Sequence, residues 1–327
     1  MKRRDLLKLA GAGLAAGAMP AVITGARAQA FPSGPITLIV AWPPGGGSDI
    51  SMRLLADALS KKIGVPVVVL NKPGAGGAIG HREVVTAKPD GQTIGMFASG
   101  GVSLPYLNAQ ANTLDEMEPI AYFGEDPFAL QASNASGITS LKDMIERARA
   151  APGKLRNGND QPGGSSFVAI SLFEKALGFK VTKVSYGGYA PTVTALMGGE
   201  IDTASVPVPD AIEQHRSGKL KMLGVSSAER YFLAPEIPTF KELGFDVVAG
   251  SWRCIIGPKG IPEDRLRFLE SNILGVLKDP EFVARAKQAG FAIQPADAKA
   301  TAARWKKDDA ELYPILLEAG LVKARQK

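Results

Sequence analysis

Two glycine-rich segments stand directly before predicted helices, and each contains serine at the predicted helix start. The first glycine segment reads PPGGGSD over residues 43–49, and the second glycine segment reads DQPGGSS over residues 160–166. Glycine lets the backbone turn its N–H groups toward a ligand, and a helix start adds unpaired N–H donors. Such segments bind anions, although capping the helix is the commoner role of serine there. The matching pair predicts a site that closes on a carboxylate.

Residue types that carry catalysis or bind metals are scarce and scattered. The sequence contains two histidines, His81 and His215, and one cysteine, Cys254, without the spacing of a metal site. It has no G-x-S-x-G, Walker A or H-E-x-x-H motif. The glycines of residues 73–80 miss the G-x-G-x-x-G spacing by one residue, which argues against a dinucleotide site. We therefore predict a binding protein without cofactor or metal, not an enzyme.

The first thirty residues predict an export signal. A basic start leads into an Ala/Gly/Leu stretch, and the residues up to Ala30 offer A-x-A cleavage sites. The KRRDLLK segment also matches a twin-arginine signal, so the Tat and Sec routes both stay open. Five basic residues and one acid give this stretch +4; subtracting that from the formal +6 leaves +2. No basic run with interleaved aromatics follows, which argues against a nucleic-acid partner.

The elements that must position the glycine segments alternate between short apolar runs and amphipathic stretches. Residues 36–42 predict a buried strand, and apolar residues then recur at helical spacing from Asp49 to Ile63. The strand–helix order returns within residues 137–224. This pattern predicts an α/β fold with two lobes, each a mostly parallel sheet flanked by helices.

The predicted helices near the C-terminus have apolar faces that must be buried. We expect these faces to pack on the α/β unit formed by the first part of the chain. We therefore predict a discontinuous domain 1 (31–130 plus 226–327) and an inserted domain 2 (131–225), after a signal peptide (1–30). The two crossings between these domains, near 125–135 and near 222–228, are predicted to act as the hinge.

Long stretches of the sequence resemble the Bug-type receptors, the periplasmic substrate-binding proteins of tripartite tricarboxylate transporters. The likeness begins at FPSGPITLIVAWPPGGGSDI and continues through PDGQTIGM, YGGYAPTVTALMGGEID and SWRCIIGPKGIPEDRL. It covers nearly all of the chain after the signal peptide. The resemblance implies a Venus-flytrap fold of the type II periplasmic binding class. It also implies capture of a small carboxylate and its delivery to a permease with a large and a small membrane subunit.

In this family the two glycine segments hold the ligand carboxylate through backbone amides and hydroxyls. Carried onto this sequence, the resemblance predicts ligand contacts at Trp42, Pro44, Gly45, Gly46, Gly47, Ser48, Asp49, Ser99, Gly164, Ser165, Ser166, Tyr186, Gly187, Gly188 and Val206. Val206 stands where many members have Asp, and Gly187 where many have Lys, so a simple di- or tricarboxylate fits better than an amino acid. Arg253 is the candidate for a contact with the distal end of the ligand.

The sequence thus predicts a monomeric extracytoplasmic receptor that captures a di- or tricarboxylate in the periplasm for a tripartite transporter. One alternative is a receptor that signals through a sensor kinase, which neighbouring genes would distinguish. The other is a periplasmic enzyme acting on carboxylates, for which the sequence offers no acid–base pair.

Overall fold

The computed structural model describes residues 31–327, so the predicted signal peptide lies outside the described residues. The described part contains ten strands: β1 (Ile36–Val40), β2 (Val67–Asn71), β3 (Thr93–Ala98), β4 (Met117–Ser133), β5 (Arg156–Asn159), β6 (Thr182–Ser185), β7 (Thr203–Pro207), β8 (Leu220–Val225), β9 (Gly250–Pro258) and β10 (Ala296–Asp297). Its α-helices are α1 (Gly47–Ile63), α2 (Ala78–Val85), α3 (Leu104–Leu107), α4 (Leu141–Ala150), α5 (Ser165–Leu177), α6 (Tyr189–Met197), α7 (Val208–Arg216), α8 (Glu263–Leu277), α9 (Pro280–Gln288) and α10 (Ala298–Glu318). None of these helices is long and apolar enough to cross a membrane.

Helix α1 forms where the periodicity predicted it, directly after the first glycine segment. It begins at Gly47, two residues before the predicted start, and ends at Gly64, whose φ of 74° is a conformation that glycine adopts easily. The apolar positions Met52, Leu55 and Leu59 are buried against the sheet. The first glycine segment is therefore fixed at both ends, by a buried strand and by a buried helix face.

The first sheet orders its strands β2-β1-β3-β9-β4, with β10 added to β4. Strand β1 pairs in parallel with β2 and β3, whereas β9 runs antiparallel to β3 and β4. One apolar cluster joins this sheet to α1, α8 and α9, and a second joins it to α2 and α10. The C-terminal helices thus pack on the first sheet, as the sequence predicted. We call this unit the first lobe.

The second sheet orders its strands β6-β5-β7-β4-β8. Strands β5, β6 and β7 are parallel, and β4 is antiparallel to both β7 and β8. Helices α4 and α5 share one apolar cluster with this sheet, and α6 and α7 share another. We call this unit the second lobe. Both sheets are therefore mixed, because antiparallel crossing strands join the parallel strands that the sequence predicted.

Strand β4 belongs to both lobes. Its residues 117–127 pair with β9, and its residues 128–133 pair with β7 and β8. The sequence here reads as two apolar runs interrupted by Gly124-Glu125-Asp126-Pro127. One continuous strand forms instead, because a buried arginine of β9 neutralises Asp126. Ser226 N donates to Phe128 O at 2.8 Å where the chain returns. The domain boundaries between residues 130 and 131 and between residues 225 and 226 stay a prediction.

Candidate ligand-binding cleft

The first glycine segment leaves the N-terminus of α1 without a side-chain cap. Gly46 is the N-cap residue, and no side chain accepts a hydrogen bond from the first turn. Gly45 has a φ of 84°, where other residues are strained. Pro44, Gly45 and Gly46 are exposed, and Gly47 and Ser48 are half-buried. Within the described residues, the first N–H groups of this helix therefore remain available to an anion.

Asp49 holds the first glycine segment in shape. Its carboxylate accepts the N–H of Gly45 at 2.9 Å, Nε of Arg53 at 3.0 Å and Nδ2 of Asn71 at 2.9 Å. Burial acts to raise the pKa of Asp49, but the hydrogen bonds from Arg53, Gly45 and Asn71 outweigh it and lower the pKa. The protein itself thus occupies the oxygens of this predicted ligand contact, and in this conformation Asp49 shapes the loop.

The second glycine segment carries its own carboxylate at the start of α5. Asp160 Oδ1 accepts Phe167 N at 3.2 Å and Ser166 Oγ at 3.0 Å, while Asp160 N donates to Ser166 Oγ at 2.7 Å. A β-carbon placed on Gly164 would lie 2.4 Å from the Asp160 carboxyl carbon, so glycine is required there. Ser166 is fully buried in these bonds. Of the serines predicted in this segment, only Ser165 faces the other lobe.

Ser165 is one of the residues at which the second lobe touches the first. Its hydroxyl lies 2.6 Å from Tyr189 Oη, which donates to Ser251 Oγ of β9 at 3.4 Å. A β-carbon placed on Gly100 would lie 3.3 Å from Ser165 N. Beside it, Ser99 Oγ is buried without a hydrogen-bond partner among the described residues. The predicted residues Ser99 and Ser165 are therefore brought together at the seam between the lobes.

Arg253 lies in β9 between the first glycine segment and the second lobe. It is 4 % exposed, pairs through Nη1 with Asp126 and covers the Phe291 ring at 5.4 Å. Its Nη2 lies 3.4 Å from a β-carbon placed on Gly47. Burial acts to lower the pKa of Arg253, but the charge and hydrogen bonding of Asp126 raise it, so the guanidinium stays ionised. Within residues 31–327 its other nitrogens have no protein acceptor.

Other predicted ligand contacts lie away from Arg253. Val206 is 0 % exposed within an apolar cluster of the second lobe, because its side chain faces the helices that cover β7. Trp42 is half-buried, with its ring 5.7 Å from that of His81. Tyr186 packs beside the same cluster as Val206, and Gly188 begins α6. In this conformation the Val206 side chain is closed to a ligand in the cleft.

Two of the three residues best suited to catalysis, His81 and Cys254, lie in the core of the first lobe, whereas His215 lies on α7 of the second lobe. His81 is 3 % exposed, and burial lowers its pKa to about 4. Cys254 is 0 % exposed, and burial raises the pKa of its thiol. Neither is a ready base or nucleophile at neutral pH. The described part of the chain also brings together no group of three acidic, histidine or cysteine side chains able to hold a metal ion.

A cavity of about 120 Å³ lies between α5 of the second lobe and α10 of the first. Ser165 and Trp252 line it, but the first glycine segment contributes no residue. Trp252 precedes Arg253, so the two side chains point to opposite faces of β9. The arginine that lines the cavity, Arg304, is engaged by Glu125 at 2.8 Å. The face of β9 that carries Arg253 is therefore the better match for a carboxylate.

Four polar residues make contacts that hold this site together, although the sequence does not mark them as site residues: Asp126, Asp160, Tyr189 and Ser251. An acid between apolar runs, as at Asp126, is a signal for a buried basic partner. Asp160 offers a similar signal, because it stands a few residues before serines at a helix start. Neither pattern identifies the partner residue.

Comparisons with known proteins identify the family and the fold. The family described as tripartite tricarboxylate transporter family receptor (TctC) matches residues 51–321. Protein BugT of Bordetella pertussis is 31% identical over 266 residues, covering 78% of this chain and 80% of BugT. The solved structure of the periplasmic binding protein BugD is 29% identical, with a TM-score of 0.79 over 90% of this chain and 100% of BugD. MatC from Rhodopseudomonas palustris with bound malate is 24% identical, with a TM-score of 0.78 over 88% of this chain and 100% of MatC.

These similarities extend over most of the chain and include both lobes. The family and its structural neighbours are solute-binding proteins, not enzymes. The two-lobe α/β architecture is that of the periplasmic binding proteins, as the sequence predicted. The chain therefore belongs to the Bug-type receptor family of the tripartite tricarboxylate transporters.

Proposed function

We propose that this receptor captures a small di- or tricarboxylate between its two lobes and delivers it to a tripartite membrane transporter. Family membership supports both parts of the proposal. The segment 1–30 predicts export to the periplasm, by either the Tat or the Sec route. The receptor acts as a monomer whose partners are the large and small membrane subunits of the permease.

The observation that carries the proposal is the environment of Arg253. Its guanidinium is buried beside Gly47, and Nη1 alone is used by Asp126. A carboxylate between Gly47 and Arg253 would accept hydrogen bonds from Nη2 and from the first N–H groups of α1. Ser165 could then approach the ligand from the second lobe. Closure of the lobes would thus complete the site.

Such a site reaches useful affinity without a cofactor. Four charge-assisted hydrogen bonds of about 1.5–3 kcal/mol each contribute roughly 6–12 kcal/mol before the cost of ordering. A micromolar complex needs about 8 kcal/mol. One arginine, the backbone amides and a serine hydroxyl are therefore sufficient. MatC, which shares the fold, holds malate, so a dicarboxylate of that size is the first ligand to test.

The direct test is thermal unfolding of the purified protein with malate, adipate and citrate, using the diamide of malate as an uncharged control. A ligand at about 100 times its Kd adds about 2.7 kcal/mol of stability. For a protein of this size that corresponds to a rise in Tm of roughly 4–5 °C. The diamide should leave Tm unchanged. If no carboxylate raises Tm, the proposal fails.

Two bulky substitutions test whether both glycine segments contact the ligand. Ser48→Phe and Ser165→Phe should each abolish the shift with a carboxylate while leaving the Tm of the free protein close to that of the wild type. Ser271→Phe, at an exposed position of α8, is the matched control and should bind normally. Retained affinity in either cleft variant would contradict a site built from both segments.

A further inference from the structure

Asp160 is a buried carboxyl group without a basic partner among residues 31–327. It is 6 % exposed, and no positive charge contributes to its stabilisation. Oδ1 is satisfied by Phe167 N and Ser166 Oγ, whereas Oδ2 has only Ser165 Oγ, at 3.5 Å. One oxygen of the carboxyl group is thus fixed by the helix start, and the other depends on a single serine hydroxyl.

Ser165 Oγ stands between this carboxyl group and the cleft, and it has only one proton to donate. When Asp160 is ionised, Oδ2 draws that proton, and Ser165 presents only lone pairs to a ligand. When Asp160 carries a proton on Oδ2, it donates to Ser165 Oγ. The Tyr189 hydroxyl can then turn its single proton from Ser251 to Ser165, so that the serine accepts from Asp160 and Tyr189 and donates its own proton to a ligand carboxylate.

We propose that Asp160 determines which chemical group of a ligand the second lobe accepts. Asp160 must take up a proton before Ser165 can donate a hydrogen bond to a carboxylate. Capture of a carboxylate is then coupled to uptake of one proton from solvent at Oδ2, and no covalent bond changes. A ligand end that donates a hydrogen bond, such as a hydroxyl or an amide, suits the ionised form of Asp160 instead. This inference rests on the proposed function and specifies the chemistry of its second contact.

The surroundings of Asp160 make this switch accessible near neutral pH. Burial raises the pKa of Asp160 to about 6, because it outweighs the lowering effect of the hydrogen bonds from Phe167, Ser166 and Ser165. The carboxyl group is thus mainly protonated below pH 6 and mainly ionised above it. Carboxylate capture should therefore weaken as the pH rises above 6.

Within residues 31–327 no basic side chain pairs with Asp160. Lys183 of β6 is bound to Glu174 of α5 at 2.7 Å, and Arg253 of β9 is paired with Asp126. Burial and the charge of Asp160 both raise the pKa of Tyr189 on α6, which therefore stays protonated. Burial also raises the pKa of Asp210 on α7 to about 7, although the charge of Arg253 lowers it, so Asp210 titrates in the same pH range. Asp160 is the one of these two acids that contacts Ser165, and Asp160→Asn therefore isolates its contribution.

The test is calorimetric titration with malate at pH 6, 7 and 8, in buffers of different ionisation enthalpy. Wild-type affinity should fall about tenfold per pH unit above pH 6, with about one proton taken up per malate. Asp160→Asn places an amide donor at the position of Oδ2. Its affinity should vary much less than that of the wild type over this range, and at pH 8 it should exceed the wild-type value by at least about tenfold. Asp143→Asn, in the first turn of α4, should match the wild type.

A pH-independent wild-type affinity, or an unchanged pH dependence in Asp160→Asn, overturns the role of Asp160 while leaving carboxylate capture intact. If malate, adipate and citrate all fail to bind every variant, the proposed function itself fails, and this inference with it. Thermal unfolding without ligand is an independent readout of the proton. Asp160→Asn should unfold at a higher temperature than the wild type at pH 8 and at a similar temperature near pH 4. An equal Tm at pH 8 would also overturn the assignment.

Discussion

Arg253 of β9 and Asp126 of β4 form a buried ion pair where these two strands run side by side. Their side chains are 5% and 1% exposed. Tyr231 Oη donates to the same carboxylate at 2.8 Å, and Ala292 N donates at 3.2 Å. Because Arg253 also borders Gly47, this pair connects the hinge strands to the candidate ligand site.

Arg253→Met should impair both stability and binding. The variant leaves Asp126 buried and uncompensated, so the free energy of unfolding should fall by about 3–5 kcal/mol. Loss of the charge-assisted hydrogen bond from Nη2 should lower the affinity for malate by roughly 10- to 100-fold. Denaturant unfolding and titration calorimetry measure the two effects separately.

The double variant Arg253→Met/Asp126→Asn separates these effects. Asparagine keeps an oxygen acceptor for Tyr231 and Ala292 but carries no charge. Most of the lost stability should therefore return, while binding should stay weak. If malate binding also returns, Arg253 acts only through the fold and does not contact the ligand.

Asp49→Asn tests whether Asp49 shapes the first glycine segment or touches the ligand. The hydrogen bonds lower the pKa of Asp49, so its ionised form stabilises the folded state at neutral pH. That contribution is present above the unfolded pKa and disappears as the pH falls through the folded pKa. We expect the variant to unfold about 1–2 kcal/mol more easily at pH 7, and the difference to shrink below pH 4.

Affinity for a carboxylate should fall together with this stability, because Gly45 loses its acceptor. Asp57→Asn on the same helix is the control, since Asp57 is exposed and its ion pairs contribute little. Weaker binding in Asp49→Asn without any change in unfolding would assign Asp49 a direct contact with the ligand.

The sequence predicts those parts of the cleft that depend on local rules. Periodicity places the start of α1 within two residues, and Ser140, three residues before Asp143, is a local N-cap signal that coincides with the start of α4. Both glycine segments stand before helices, because glycine conformations and helix starts are encoded within a few neighbouring residues.

The remaining parts depend on partners that are distant in the chain. Asp126 and Arg253 are 127 residues apart, and Tyr189 meets Ser251 across the two lobes. Nothing local in the GEDP stretch (residues 124–127) distinguishes a turn from a strand whose acid is neutralised, so the local sequence does not identify β4 as one continuous strand. The same reason applies to Val206, a predicted ligand contact whose side chain is buried. Which side of β7 faces the cleft follows from sheet pairing, not from the local sequence.

Gly45→Ala and Gly46→Ala form a matched pair within the first glycine segment. Gly45 has a φ of 84°, whereas Gly46 has a φ of −81°, which alanine adopts without strain. Alanine at position 45 should destabilise this conformation of the loop by about 1–2 kcal/mol and should lower the affinity for malate roughly tenfold. The loss at position 46 should be clearly smaller. Equal losses in calorimetry would show that steric access, not backbone conformation, limits binding.

Gly100→Trp tests whether the lobes must meet at Ser165 for a ligand to be held. A β-carbon at position 100 already lies 3.3 Å from Ser165 N, so an indole there should keep the lobes apart. In small-angle scattering, malate should reduce the radius of gyration of the wild type but not of this variant. Its affinity should fall at least about tenfold, because the closed form is rarely populated. Gly198→Trp, exposed on the second lobe, should close like the wild type; closure of Gly100→Trp to the same extent would contradict this contact.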